Sequence, residues 1–280
     1  MISATPTTSP ISTTSTTPRS PNAPHIIAIA SQKGGVGKTS TAISLAAGLA
    51  RLGKRVLLVD MDSQANSSKV LLPDYAHLDK AQTVYTTIIE KQPLPALPTR
   101  IPALDIAPSH ILLSETDVAL TTALDHREAR LKTALDTIAV RYDYVFLDNP
   151  PALGWLTINS FTAADCALVV VSPGYFELDS IVQISKTIAN VREFFNPRLE
   201  LLGFLFTMSD STINTQTSLQ ILRQTYTDKV LRTIIPRNVD LKDAHMSRQD
   251  IFAFNPRSNA ARAYQALIEE VFVGHGQEDA

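Results

Sequence analysis

Residues 32–40 read Gln32-Lys33-Gly34-Gly35-Val36-Gly37-Lys38-Thr39-Ser40. Ahead of them stands a short β-branched, apolar run, residues 25–31 (HIIAIAS), the mark of a strand buried on both faces. Behind them, Ile43, Ala46, Ala47 and Ala50 share one helical face, and Leu45, Leu49 and Leu52 cover another. A helix over 39–52 is therefore apolar nearly all round and is expected to pack deeply. Gly53 is its expected stop. A glycine-rich loop between such a strand and such a helix suits an anion. Glycines let successive backbone N–H groups curl around it without Cβ clashes. The helix N-terminus adds its partial positive charge. Lys38 would reach the β- and γ-phosphates of a nucleotide, and Thr39 would offer its hydroxyl to Mg²⁺.

Further apolar runs occur at 55–61, 104–107, 144–147, 167–171, 201–206 and 230–235. Helical patterns lie between them. The clearest is Ile181, Ile184, Ile188, Val191 and Phe195, spaced three and four apart, with Pro197 as its end and Asp179 or Ser180 as its cap. A last helix is expected over 259–272. Strands alternating with helices imply βαβ units, hence an α/β fold, and the glycine-rich loop at 32–40 between strand and helix makes the expected fold one of the P-loop type. Its sheet is expected to be mainly parallel and twisted, with helices on both faces.

Three carboxylates fall where parallel strands end. Asp60 and Asp62 close the run at 55–61, and Asp148 closes the run at 144–147. Side chains at the carboxyl edge of a parallel sheet point toward the ligand crevice. Asp148 would hold Mg²⁺ through water. Pro150 and Pro151 should fix the loop behind it.

The 280 residues suit one large α/β domain or two small ones. Residues 1–24 are nearly all Ser, Thr, Pro and Ala, too polar to offset their ordering entropy, and are expected to be a disordered tail. Residues 25–280 are expected to form a single domain, with the proline-rich stretch 93–102 as a surface connection. A net charge of −2 gives no global attraction to nucleic acid, so DNA binding would need a local basic patch. The single cysteine, Cys166, excludes an intrachain disulfide and a cluster held by several thiolates of one chain. It sits in an apolar run and is expected to be an inert core thiol. With no run of about 20 apolar residues and no basic-then-apolar start, a cytoplasmic location is the expectation.

Residues 33–39 (KGGVGKT) resemble the deviant Walker A motif of the ParA/MinD group of P-loop ATPases. Gln32 stands where the common P-loop pattern has glycine, and Lys33 is the added lysine of this group. The resemblance implies that Lys33 reaches the ATP of a second subunit, so that the protein is a homodimer in its ATP state. Lys33, Gly34, Gly35, Val36, Gly37, Lys38, Thr39 and Ser40 then form the ATP-binding loop, with Mg²⁺ as cofactor. Residues 57–66 (LLVDMDSQAN) resemble the group's second motif, which usually has proline and glycine where this chain has Ser63 and Ala65. Asp62, 24 residues after Lys38, matches the aspartate that orients the attacking water. Residues 233–241 (TIIPRNVDL) resemble the adenine-side loop, which makes Pro236 and Asn238 the implied adenine contacts. Asn149 stands where a smaller residue is usual.

The acidic end at 268–280 argues against MinD-like membrane cycling. The lone cysteine argues against nitrogenase-type iron proteins, and the short segment before the loop argues against a separate DNA-reading domain. What remains is a compact Soj-like ATPase with slow, partner-stimulated turnover. The resemblance implies nonspecific DNA binding by basic residues, nucleoid association and a ParB-like activator, in the partition of a chromosome or plasmid. Candidates for phosphate contact are Arg223, Lys229, Arg232, Arg237, Lys242, Arg248, Arg257 and Arg262, with Arg237, Lys242, Arg248 and Arg257 preferred. Asp240 and Asn259 occupy places often basic in the group. Two alternatives share the same motifs: positioning of a protein cargo, and a nucleotide switch without hydrolysis.

Overall fold

In the computed structural model the described residues are 23–174 and 177–273. The tail expected over 1–24 lies outside them except for its last two residues, as does the end of the acidic C-terminal segment.

The chain runs β1 (His25–Ala30), α1 (Lys38–Arg51), β2 (Val56–Asp60), α2 (Asn66–Leu71), α3 (Val84–Glu90), β3 (Leu97–Pro98) and β4 (Leu104–Ala107). It continues through α4 (Thr116–Thr121), α5 (Arg130–Ile138), β5 (Tyr144–Asp148), α6 (Trp155–Ala163), β6 (Cys166–Val171) and α7 (Glu177–Phe194). It closes with β7 (Glu200–Ser209), α8 (Ile213–Tyr226), β8 (Val230–Pro236), α9 (Asp240–Met246), α10 (Ile251–Phe254) and α11 (Asn259–Ile268). The strands form an eight-stranded sheet in the order β3-β4-β2-β5-β1-β6-β7-β8. Every pairing is parallel except that of β3 with β4. The α/β fold expected from the alternation is therefore present.

The period of two along each strand divides the core. Ala28 and Ala30 face one layer with Leu57, Val59, Val145 and Leu147, under α3 to α8. Ile27 and Ile29 face the other with Val56, Leu58, Phe146 and Leu168, under α1, α2, α10 and α11. Burial of each large aliphatic side chain contributes roughly 1.5–3 kcal/mol, which explains why the central strands read as unbroken apolar runs. Helix α1 is the most deeply packed, as expected: the run from Thr41 to Ala50 is buried. Its Gly48 lies so close to α10 and α11 that an added Cβ would sit 2.2 Å from Ile268 Cδ1 and 3.2 Å from Phe252.

Four local expectations need correction. Leu52 is exposed, because α1 ends at Arg51 and the chain turns away before Gly53. Asp179 and Ser180 do not cap α7, which starts at Glu177 and so contains both. Phe195 is not on the buried face of Ile181, Ile184, Ile188 and Val191, because α7 stops at Phe194. Cys166 is half-buried at the start of β6 rather than inside the core. The proline-rich connection also supplies the two-residue antiparallel edge strand β3.

At the other edge, β7 and β8 pair irregularly. There the Glu270 carboxylate accepts from the backbone N–H of Arg232 at 2.7 Å and of Thr233 at 2.8 Å. A carboxylate seated on an edge strand satisfies donors that would otherwise be open to another strand.

Candidate nucleotide-binding site

The chain passes from β1 to α1 through the glycine loop, at the carboxyl edge of the sheet. Strand β1 lies between β5 and β6, and the chain builds outward from it in both directions. That is the switch point where open parallel sheets bind ligands. Gly35 and Gly37 hold φ of 73° and 93°, a left-handed region that a Cβ disfavours, and nothing would meet an added Cβ at either. Among the described residues, no protein acceptor meets the backbone N–H groups of Gly34 to Ser40. They are donors at a helix N-terminus with no protein partner.

The loop is held from below. Thr207 of β7 donates its hydroxyl to the carbonyl of Val36 at 2.7 Å. Thr41 of α1 and the fully buried Tyr264 of α11 share a hydroxyl contact of 3.2 Å. Lys38 is buried at 6% exposure, and its ammonium donates to the carbonyl of Lys33 at 3.0 Å. Burial pushes its pKa down, while Asp148 and Asp62 push it up. Lys33 itself is exposed at the outer rim.

The carboxylates converge on the same edge. Asp60 and Asp148 are register partners at the ends of β2 and β5, and both are fully buried. Burial, reinforced by Asp148, pushes the Asp60 carboxyl up to about 8. Burial pushes Asp148 upward too, opposed by the Ser67 and Thr39 hydroxyls and by Lys38. Asp148 Oδ2 accepts from Ser67 Oγ at 2.7 Å, whereas Asp148 Oδ1 is buried with no partner among the described residues. A buried carboxylate oxygen left bare beside a threonine hydroxyl and an ammonium fits a hydrated Mg²⁺, which takes one or two protein oxygens and completes its shell with water and phosphate. Among the described residues no group of three His, Cys, Asp or Glu side chains could hold a metal by itself.

Asp62 lies beyond β2, half-buried, and its Oδ1 accepts from Gln64 N–H at 3.0 Å. The turn it opens places Ala65 at φ 54°, a left-handed conformation at the position where the motif usually has glycine. Asn149, lacking an account from sequence, ties β5 to β1. Its amide donates to the carbonyl of Ile29 at 3.1 Å and to that of Leu147 at 3.3 Å.

The sequence reading missed Ser67, Ser68 and Ser109. Ser68 donates its hydroxyl to Asp60 Oδ2 at 2.7 Å, and Ser109 donates its N–H to Ser68 Oγ at 2.9 Å. Ser109 follows the end of β4, so the strand-end rule applied to Asp60 and Asp148 would also have pointed to it.

Pro236 ends β8, and Asn238, two residues before α9, accepts from Asp240 N–H at 2.7 Å. Both are half-buried beside the end of β7. The preferred basic residues Arg237, Lys242, Arg248 and Arg257 are all exposed, on or between β8 and α11. Arg237 lies 3.9 Å from Asp210, and Arg248 donates to the carbonyl of Pro73 at 2.9 Å. Asn255 links the other two features: its amide donates to Asp240, and its Oδ1 accepts from Arg257 N–H. Lys229 precedes β8 and Arg232 is its third residue, toward the opposite, N-terminal end.

A family model described as an AAA domain matches residues 24–201. The chain is 39% identical over 251 residues to the sporulation initiation inhibitor protein Soj of Bacillus subtilis, spanning 88% of this chain and 97% of that protein. It is 41% identical over 247 residues to the chromosome-partitioning ATPase Soj of Thermus thermophilus, spanning 88% and 94%. A solved structure of cobyrinic acid a,c-diamide synthase from Mycobacterium smegmatis, with bound ATP analog and magnesium, has a TM-score of 0.75 at 31% identity, covering 88% of this chain and 95% of that one.

Proposed function

The chain belongs to the AAA-domain family, among its ParA/Soj-type partition ATPases, and from that premise we propose that it binds ATP with Mg²⁺, dimerises around the nucleotide and hydrolyses it slowly to drive DNA partition. The observation that carries this reading is the loop at 34–40, whose backbone donors lack protein acceptors while the buried Lys38 ammonium stands beside them. The backbone N–H groups and Lys38 bind the phosphates. Thr39 and the bare oxygen of Asp148 hold hydrated Mg²⁺, which when bound neutralises charge on the phosphates. Asp62 orients the attacking water, and Lys33 extends to the nucleotide of a second copy. Pro236 and Asn238 border the adenine.

Phosphoryl transfer needs positioning and charge stabilisation more than covalent chemistry. With carboxylates and lysines as the charged groups that the described residues bring to the site, turnover is slow until an activator of the ParB kind engages. The DNA surface comprises Arg237, Lys242, Arg248 and Arg257, a local patch on a chain of net charge −2, and the working location is the nucleoid in the cytoplasm. No helix among the described residues is long and apolar enough to cross a membrane.

The test is the ATPase rate of the full chain, alone, with nonspecific DNA, and with DNA plus the candidate centromere-binding partner. Slow phosphate release that rises when both are present supports the proposal. ATP binding without phosphate release under all three conditions leaves a nucleotide switch instead. Arg257→Glu should weaken DNA retention and reduce the slope of log affinity against log salt by about one. The same change at Arg232, across the strand, should leave both untouched.

A further inference from the structure

We propose that Ser109 is a positioning residue for hydrolysis: it fixes the main chain of Asp62 so that the carboxylate meets the attacking water. The inference rests on the reading of Asp62 given above.

Ser109 reaches this place through sheet register. Val59 of β2 pairs with Ala107 of β4, so the residue two beyond Ala107 comes alongside Met61 and Asp62. Ser109 is fully buried, although it belongs to a loop. Its hydroxyl donates to the carbonyl oxygen of Asp62, in a short hydrogen bond. Its backbone is pinned in turn: its N–H donates to Ser68 Oγ at 2.9 Å, its carbonyl accepts from Tyr75 Oη at 3.3 Å, and the preceding Pro108 carbonyl accepts from Val84 N–H at 2.8 Å. A donor fixed at so many points is a rigid stop for whatever it holds.

Asp62 needs such a stop. Its N–H donates to Asp60 Oδ1 at 3.2 Å, and its carbonyl already closes a turn by accepting from Ala65 N–H at 2.8 Å. Those two bonds lie along its own chain. Ser109 supplies the tie from another element. The same buried set continues to the metal side: Ser68 donates to Asp60 through both its hydroxyl and its N–H, and Ser67, next along α2, donates to Asp148. The first turn of α2 and the loop after β4 thus hold both carboxylates that the reaction uses. A displacement of about 1 Å can cost on the order of a hundredfold in rate, so a side chain that never touches substrate can still matter.

Loss of the Ser109 hydroxyl does not strip Asp62 of partners, because the bond from Ala65 remains. The experiment is single-turnover ATP hydrolysis by Ser109→Ala, Asp62→Ala and the double variant in the full chain, with ATP affinity and thermal unfolding measured on each. The expected result for Ser109→Ala is a fall of about ten- to a hundredfold in the hydrolysis step, with ATP affinity unchanged and the double variant no slower than Asp62→Ala. Should Ser109→Ala unfold, Ser109→Cys, nearly the same shape with a poor donor, takes its place under the same expectation. A wild-type rate for the Ser109 variant while Asp62→Ala is inactive overturns the role of Ser109. Losses that add in the double variant also overturn it, since they would place Ser109 outside the action of Asp62. A wild-type rate for Asp62→Ala defeats the underlying reading of Asp62 instead.

Discussion

The Lys38 ammonium donates to the carbonyl oxygen of Lys33, 3.0 Å away, so the two lysines of the loop are joined before any phosphate arrives. The buried charge has found the nearest acceptor on its own loop, since an unpaired buried charge is costly. A triphosphate offers a stronger acceptor in the same space and would draw the ammonium away from Lys33.

Replacement of that ammonium separates binding from stability. Lys38→Ala removes a charge whose burial already pushes its pKa down, so the fold should lose little. A charge-assisted hydrogen bond to phosphate contributes about 1.5–3 kcal/mol, so ATP affinity should fall at least about tenfold to a hundredfold. Calorimetric titration with ATP and Mg²⁺ checks this, and full affinity in a folded variant would remove the loop from the site.

Ala65 sits left-handed at φ 54° and is 1% exposed. That conformation costs an alanine roughly 1–2 kcal/mol, whereas its buried methyl contributes about 0.8 kcal/mol. The two nearly cancel, so Ala65→Gly should leave the unfolding free energy unchanged or raised by about 1 kcal/mol. Ala65→Val keeps the strain, adds β-branching and overfills a closed space, and should cost about 1–3 kcal/mol. Denaturant unfolding of the pair checks the order, and a glycine variant less stable than the valine one would contradict it.

Stability should also depend on pH in a defined direction. The folded-state pKa of Asp60 is pushed up to about 8 by burial and by Asp148. Between the unfolded carboxylate range and 8 the native state therefore holds the extra proton, and stability falls as pH rises. Half-buried His245 has its pKa lowered by desolvation, so its contribution runs the other way, but it is complete once pH passes about 6.5. The lowered pKa of buried Lys38 also runs the other way, toward its ordinary value near 10.5, so the Asp60 part is read by difference. From pH 6.5 to 8 the nucleotide-free wild type should lose more thermal stability than Asp60→Asn. An equal change in the two would assign the pH dependence to another group.

The sheet and the loop were legible because both are written in contiguous residues. Unbroken apolar runs marked the central strands, and the glycines, Lys38 and Thr39 marked the anion grip. Asp60 and Asp148 were legible as strand ends, but not as register partners, since pairing depends on strand order. Ser67 was invisible for the same reason, since Asp148 lies 81 residues away in the chain; Ser109 was legible only as a strand-end position, and its bond to the Asp62 carbonyl, 47 residues away, was not. The basic residues of the C-terminal third looked alike in sequence. The geometry of β8 separates Arg232, near its start, from Arg237, just past its end. The start of α7 was misplaced because Asp179 and Ser180 carry a cap's chemistry, yet the helix begins before them.

The central claim is that one lysine of the loop serves its own subunit and the other serves a second copy. Sedimentation velocity in ATP and Mg²⁺, with Asp62→Ala to retain the nucleotide, tests it most directly when Lys33→Ala is added. The account predicts a dimer with Lys33 present, and a monomer that still binds ATP without it. A dimer that forms equally well without the Lys33 side chain, or a protein that stays monomeric with ATP bound and Lys33 intact, would contradict it.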